Sequence, residues 1–384
     1  MTVNQIYGIV NSVASQALGT TAITTTDLTS LISLGQQVIS SDTYKDNFLN
    51  VLADRIGKTV LRTLEVDAEF PFLLRNDYEF GCILQKIDVQ LMSAQANTSE
   101  TIGANDYTPN QFAINKPTVT QTFFTDSDSW SYCVTIPDVM LKRAFTSAES
   151  MGAFIDGIMK ALEDSLTQGL NAMSHMCVTN FIGEKIYAEN AVVNLRTMYN
   201  TKFNKTLTED ECLRDTEFLK FASMIIKNYI GYLDKPKTVF NTAGKQRRTK
   251  RENLHCMLIN DFVSATETYL YSGTFHKDYV DLPYFQPVES WSAFTETAGS
   301  IEPSANTKID IVTSSGHEVS ESGIIAVLAD REAIATGLVD KYVATDRNNK
   351  DRYTNYTSGT TIQYINDTTE NGVIFTIGNY GVEP

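Results

Sequence analysis

Metal and disulfide chemistry have little to work with in this chain. Its five cysteines, Cys82, Cys133, Cys177, Cys212 and Cys256, are scattered and never form a C-x-x-C pair. Neither a disulfide framework nor a zinc cage fits that spacing, and reduced, buried thiols are expected. The four histidines (His175, His255, His276 and His317) show no H-x-x-x-H or other ligand spacing, so no metal site is expected. No run of about 18 uncharged apolar residues occurs, which argues against a membrane-spanning helix. The start, Met1 to Gln5, lacks a basic stretch leading into an apolar one, so it does not read as a secretory signal. No internal repeat is visible. Bases are in deficit, 31 against 46 acids, for a net charge of −15. Wrapping a nucleic acid by neutralising its phosphates needs the opposite balance.

What is present is enough apolar material for more than one core. The chain has 384 residues, 42% of them hydrophobic, and single cores seldom grow past about 250–300 residues, so two or three lobes are expected. Residues 1–27, rich in Ser, Thr, Asn and Gln, read as an arm with loops at Gly19-Thr20-Thr21 and Thr24-Thr25-Thr26. Thr26-Asp27 can cap a helix carrying Leu28, Leu31, Ile32, Leu34 and Val38. Ser41-Asp42 can cap a second with Phe48, Leu49, Leu52 and Ile56 at helical spacing. Residues 78–137 read as one long β-hairpin. Ile83, Ile87, Val89 and Leu91 alternate with polar positions on the way out; Trp130, Tyr132, Val134 and Ile136 alternate on the return. The polar stretch from Ser93 to Lys116 lies between them. Such a hairpin is marginal alone in water and suits a surface on another subunit.

The strongest helical signal follows Pro137. Thr146 and Glu149 have capping-box spacing, and Met151, Ile155, Ile158, Leu162, Leu166, Leu170, Met173 and Cys177 continue a stripe to about residue 186. At 1.5 Å per residue this is about 60 Å of helix. Gly152, Gly157 and Gly169 within it are expected to mark bends or close packing, since each weakens a helix by about 1 kcal/mol relative to Ala. A helix near 215–233, a basic loop at 245–251, and an α/β texture from 254 come next: strands at Leu254 to Ile259, Ile309 to Val312 and Ile324 to Leu328. A helix capped at Asn260 or Asp261 and a short helix from Asp330 are expected among them. Short strands are expected at Leu338 to Val343, Thr361 to Ile365 and Val373 to Ile377.

This order of elements resembles the Hong Kong 97-like major capsid proteins of tailed phages. Three stretches carry the likeness. Tyr78-Glu79-Phe80-Gly81-Cys82-Ile83-Leu84-Gln85-Lys86-Ile87 resembles the strand that enters the family's E-loop. Trp130 to Ile136, running through Pro137-Asp138 into the 147–186 helix, is similar to the exit from that loop into the spine helix. Ile324-Ile325-Ala326-Val327-Leu328-Ala329-Asp330-Arg331-Glu332-Ala333-Ile334 resembles the late strand and turn of the axial domain. The resemblance implies an α+β fold: an N-terminal arm with helices (1–77), an E-loop hairpin (78–137), a peripheral domain on the spine helix (138–212, completed by strands of 338–384) and an axial α/β domain (213–337). It also implies self-association into pentamers and hexamers of an icosahedral head around double-stranded DNA, assembled in the bacterial host cytoplasm, with portal, head-completion and possible scaffolding or decoration proteins as partners. An acidic wall suits such a container, because it repels DNA and leaves it free to slide. Some relatives lose a leading scaffolding segment to a protease; with Met1 at the start, no such removal is expected. An encapsulin-type shell or a soluble α/β enzyme are the alternative readings.

Candidate chemistry is thin. Gly57-Lys58-Thr59 looks like the end of a phosphate loop, but position 52 is Leu52 where the motif needs glycine, so a helix end with a polar turn is expected. The run Lys245-Gln246-Arg247-Arg248-Thr249-Lys250-Arg251 reads as a solvated loop, or, in the family reading, as a partner for acids on a neighbouring subunit. Asp156, Glu163 and Asp164 read as a polar helix face. Asp330-Arg331-Glu332 reads as a helix cap. Some relatives cross-link subunits through an E-loop lysine and an asparagine, for which Lys86 and Lys116 are placed, but no motif selects a partner. No catalytic, cofactor-binding or metal-ligating residue is assigned, no cofactor is expected, and the chain is read as a non-enzyme.

Overall fold

The computed structural model describes residues 3–63, 69–75, 84–89, 116, 119–125, 127–270, 285–291, 306–348 and 350–380. The chain opens with three helices, α1 (Val3–Leu18), α2 (Leu28–Ile39) and α3 (Asp42–Thr63), followed by strands β1 (Leu74–Arg75), β2 (Leu84–Val89), β3 (Val119–Phe124) and β4 (Ser127–Pro137). Short helix α4 (Asp138–Ala144) leads into the 40-residue α5 (Ala148–Tyr187). Then come β5 (Val192–Asn194), α6 (Leu195–Phe203), α7 (Glu209–Cys212), α8 (Thr216–Leu233), β6 (Leu254–Ile259), α9 (Asn260–Leu270) and β7 (Phe285–Val288). Strands β8 (Ile309–Val312), β9 (Glu318–Glu321), β10 (Ile324–Asp330), β11 (Ile334–Asn348), β12 (Tyr353–Asn366) and β13 (Gly372–Thr376) complete the order. It is a mixed α+β chain, as expected.

Two compact units result. The first takes residues 1–82, 126–176 and 335–364; the second takes 83–125, 177–334 and 365–384. In the first, β1-β11-β12-β4 form a four-stranded sheet. Its helices overturn one expectation: residues 3–18, read as part of an arm, are helical. Ile6, Val10, Val13, Ala14 and Leu18 are buried there. That spacing is a 3.6-residue period, masked in the sequence by intervening Ser, Asn and Gln. The loop after α1 is held by Asn11, whose side-chain amide donates to the Thr25 carbonyl (2.8 Å) and whose Oδ1 accepts from the Thr25 N–H (2.6 Å). Helix α2 starts where expected, because Asp27 accepts from the Ser30 N–H (2.8 Å) and so satisfies a donor the helix leaves open.

Helix α5 contributes residues 148–176 to the first unit, and the remainder to the second. Its stripe is buried from Met151 through Cys177. The cap differs by one residue from expectation: Ser147 Oγ accepts from the Ser150 N–H (3.0 Å), while the Thr146 hydroxyl turns back to the Arg143 carbonyl. Three of its four interior glycines, Gly152, Gly169 and Gly183, mark close packing. A Cβ at Gly152 would lie 2.7 Å from Ile6 Cδ1, and one at Gly169 would collide with the Tyr132 hydroxyl; Gly157 faces open space.

In the second unit the sheet runs β5-β13-β10-β6-β7, and every residue of β10 is buried. A continuous apolar run is what a strand covered on both faces requires. Trp291 is fully buried beside it, its indole N–H donating to the Ile324 carbonyl (2.7 Å). The C-terminal strands 338–384 therefore divide: β11 and β12 belong to the four-stranded sheet, and β13 lies between β5 and β10. Where a helix was expected from Asp330, the chain makes a turn into β11. The Asp330 carboxylate closes it, accepting from Thr249 Oγ1 (2.5 Å) and the Glu332 N–H (3.0 Å).

Charges of the first unit converge at Asp138. Arg347 donates to both of its oxygens (3.0 and 3.1 Å) and Lys45 reaches it at 3.2 Å. Hydrogen bonding from Arg347, against the opposing effect of burial, holds the Asp138 carboxyl below its ordinary 3.8. A depressed carboxylate contributes stability above its unfolded value and loses it as pH falls through the native one. The melting temperature of the native chain should therefore fall progressively as pH drops below about 5, and Asp138→Asn should flatten part of that fall while costing about 1–3 kcal/mol at neutral pH. An unchanged pH slope in the variant would show that Asp138 does not carry it.

Candidate functional site

Strands β2 and β3 pair antiparallel with Val89 opposite Val119, Ile87 opposite Gln121 and Lys86 opposite Thr122. The hairpin is shorter than expected. The return strand with Trp130 to Ile136 is not its second arm: β4 pairs instead with β12, Trp130 opposite Thr360 and Ile136 opposite Thr354. The alternation in 130–136 was real, but alternation says only that a strand has two faces, not which strand lies beside it. Ile83, Leu91, Cys82 and most of the polar stretch from Ser93 lie outside the described residues; Lys116, at its end, is exposed.

Because side chains alternate along a strand, the ribbon has two unlike faces. One carries Lys86 and Asp88, and both are fastened to the second unit. Lys86 Nζ pairs with Asp367 (2.7 Å) and with Glu370. Asp88 Oδ2 accepts from Lys245 (2.8 Å) and Arg247 (2.9 Å), and Arg247 also pairs with Glu370. Lys245 donates as well to Thr120 of β3 (2.9 Å). Three cations and three anions thus balance in one largely buried cluster, the condition under which burying charge is tolerable. Burial pushes the Glu370 carboxyl up, with Lys86 and Arg247 opposing. For Asp367 burial acts in the same direction, but Lys86 and Thr369 prevail and hold it below the usual range. Beneath them Lys185, from the last turn of α5, is buried against Asn190 Oδ1 (3.0 Å) and the Phe240 carbonyl (2.8 Å). Burial brings its ammonium down to about 7, with Asp367 and Glu370 opposing.

The other face carries Ile87 (61% exposed), Val89 (55%), Val119 (56%) and Phe123 (56%). Isolated exposed apolar residues are ordinary on a surface, but four on one face of a two-stranded ribbon make a patch of the kind that marks an interaction site.

The other candidates fall away from chemistry. Lys245 and Arg247 of the basic loop are neither solvated nor held for a neighbour: they bind Asp88 and Glu370 of their own chain. Arg248 binds Asp234 (2.9 Å), and Thr249 is buried. Gly57-Lys58-Thr59 sits within α3, not at its end, so no loop exists there to cradle a phosphate. Asp156 and Asp164 are exposed on α5; the Glu163 side chain is outside the description. Cys177, Cys212 and Cys256 are buried as expected, and burial pushes the last two up to about 12; Cys133 is exposed instead. Among the described residues no group of three or more His, Cys, Asp or Glu could hold a metal, and no helix is long and apolar enough to cross a membrane. Sequence reasoning missed Asp88, Asp367 and Glu370. The polar positions of β2 were the only signal, and their partners lie more than 150 residues away.

A model of the Phi29-like phage major capsid protein family matches residues 10–376. Among solved structures, a chain of the Staphylococcus phage Andhra capsid is similar at 9% identity and a TM-score of 0.53, covering 80% of this chain and 83% of that one. A chain from the structure of head fiber and inner core protein gp22 of native bacteriophage P68 is similar at 10% identity and a TM-score of 0.51, covering 81% and 84%. No curated protein matches. These likenesses show the fold, the Hong Kong 97-like α+β arrangement expected from the order of elements.

Replacing Asp88 with Asn should leave Lys245 and Arg247 without their shared carboxylate. Amide exchange in β2 and β3 should then accelerate roughly tenfold or more, with β10 and β13 unchanged. Equal acceleration throughout the second unit, or none in the hairpin, would refute the idea that the cluster fastens the ribbon.

Proposed function

The chain belongs to the Phi29-like phage major capsid protein family, a component of the phage virion, and from that premise we propose how it builds a shell. Copies associate into pentamers and hexamers that close into an icosahedral head around double-stranded DNA. The observation that carries this reading is the two-faced hairpin. One face is bound to its own chain by ions, and the other offers Ile87, Val89, Val119 and Phe123 to water. A neighbour's surface over that patch removes apolar area from water at roughly 25 cal/mol per Å². Closed symmetry multiplies such a contact by the number of copies.

In this reading the hairpin is the E-loop, α5 is the spine of the peripheral domain, and the β5-β13-β10-β6-β7 sheet with its helices is the axial domain. The leading segment plays a smaller part as a free arm than its composition suggests, since α1 buries its own apolar side. The work is structural and distributed, and no reaction or cofactor is assigned to the chain. The net charge of −15 favours a container whose wall does not hold DNA tightly. Assembly in the host cytoplasm suits the thiols, and portal and head-completion proteins would be further partners, with scaffolding or decoration proteins possible additions.

Purified native chain concentrated in near-neutral buffer should form closed shells visible by negative-stain microscopy. Phe123→Glu should abolish them while leaving the far-ultraviolet circular dichroism of the subunit intact. A wild-type chain that stays monomeric at every concentration would sink the shell reading; intact shells in the variant would remove the hairpin face from it.

A further inference from the structure

One buried cation of the second unit takes no part in fastening the hairpin. Lys185, in the last turn of α5, is fully buried. Its side chain donates to Asn190 Oδ1 (3.0 Å), to the Phe240 carbonyl (2.8 Å) and to the Glu370 carbonyl (3.4 Å), and its nitrogen lies 5.7 Å from the centre of the Phe181 ring. None of these partners is a carboxylate. The acids that act on it from farther away are Asp367 and Glu370.

Two segments close over Lys185, and they are the two that hold the hairpin. Residues 240–247 give Lys185 the Phe240 carbonyl and give Asp88 the side chains of Lys245 and Arg247. Residues 367–371 give Lys185 the Glu370 carbonyl and give Lys86 the carboxylates of Asp367 and Glu370. The segments are joined to each other by the Thr242 N–H donating to the Thr368 carbonyl (3.2 Å), the Asn241 amide donating to Asn371 Oδ1 (3.3 Å), and the ion pair of Arg247 with Glu370. Asp330, at the end of β10, and Glu332 after it are the further acids near this cluster, and the Asp330 carboxylate is occupied by the Thr249 hydroxyl and the Glu332 N–H.

A charge without water and without a carboxylate against it is costly to keep buried. Burial accordingly brings Lys185 down to about 7, with Asp367 and Glu370 opposing. The closed site therefore holds a proton on Lys185 less tightly than a site into which water has entered. Falling pH then favours the open site, and above about pH 7 the closed one is favoured. Opening means parting residues 240–247 from 367–371, and each of them carries half of the hairpin's ionic seat. We infer that Lys185 is a proton-sensitive latch: taking up a proton there loosens the seat of the β2–β3 ribbon, and losing it tightens the seat. The inference concerns the free subunit and stands apart from the shell reading.

The test is amide exchange on the full-length subunit, kept too dilute to associate, with each rate divided by the rate of the unstructured peptide at the same pH. Corrected exchange in β2 and β3 should be roughly fivefold or more faster at about pH 6 than at about pH 8.5, while β10 and β13 keep their protection. Lys185→Met, similar in length and unable to take a proton, should abolish the difference and leave the hairpin protected at both values. Should that variant melt low, the Lys185 side-chain signal of the native chain, followed by lysine-selective isotope labelling and magnetic resonance, should titrate together with the hairpin's exchange. Equal corrected exchange at the two pH values overturns the inference, as does a pH difference that survives in a folded Lys185→Met. A Lys185 that stays charged across the whole range, or β10 and β13 accelerating as much as the hairpin, overturns it too.

Discussion

Lys86, Asp88, Lys245, Arg247, Asp367 and Glu370 form the arrangement on which the rest of the second unit's function depends. A two-stranded ribbon has little stability of its own in water, and ions of both signs meeting under one of its faces give it a fixed seat. Placing those ions at alternate positions of β2 leaves Ile87 and Val89 turned the other way with no choice in the matter, because the pleat has a period of two. The same register therefore secures the hairpin and exposes its apolar face. A covalent anchor would have done the first without ensuring the second.

The remaining side chains serve cohesion rather than reaction. In the second unit β10 is buried along its whole length, flanked by β13 and β6, with Trp291 and Phe181 packed beside the sheet. In the first unit α1 and α2 close over α3, and the Asp138, Lys45 and Arg347 contacts tie the start of α3 to β11. Groups that could have been reactive are spoken for. The Lys185 ammonium is enclosed by backbone and amide oxygens, and the Cys212 and Cys256 thiols are buried. A protein whose work is to hold a position among identical copies has use for such inert interiors and for distinctive surfaces.

Those surfaces share one electrostatic condition. Identical copies carry identical charge, and at −15 each contact must either bring opposite charges together or avoid charge. The exposed face of the hairpin, with Ile87, Val89, Val119 and Phe123, suits the second route. The ions of the hairpin cluster are meanwhile neutralised inside the chain, so they neither steer nor resist a neighbour at close range.

Local periodicity carries its information within a few residues, and that is the part the sequence determined alone. The stripe of α5, the cap of α2, the continuous apolar run of β10, and the strands at Leu254–Ile259 and Ile309–Val312 all follow from neighbours along the chain. So does the order of elements that pointed to the capsid fold. Partner choice between distant segments is a different quantity. Nothing near Trp130 says that its strand lies against β12 rather than β2, and nothing near Asp88 names Lys245 and Arg247. The helix of residues 3–18 was legible in principle, through Ile6, Val10 and Val13, yet polar composition outweighed spacing until its packing was seen. Pairing, register and the burial of charge are decided by which surfaces meet, because only contact between them sets the local dielectric and removes the water that every unpaired polar group would otherwise keep.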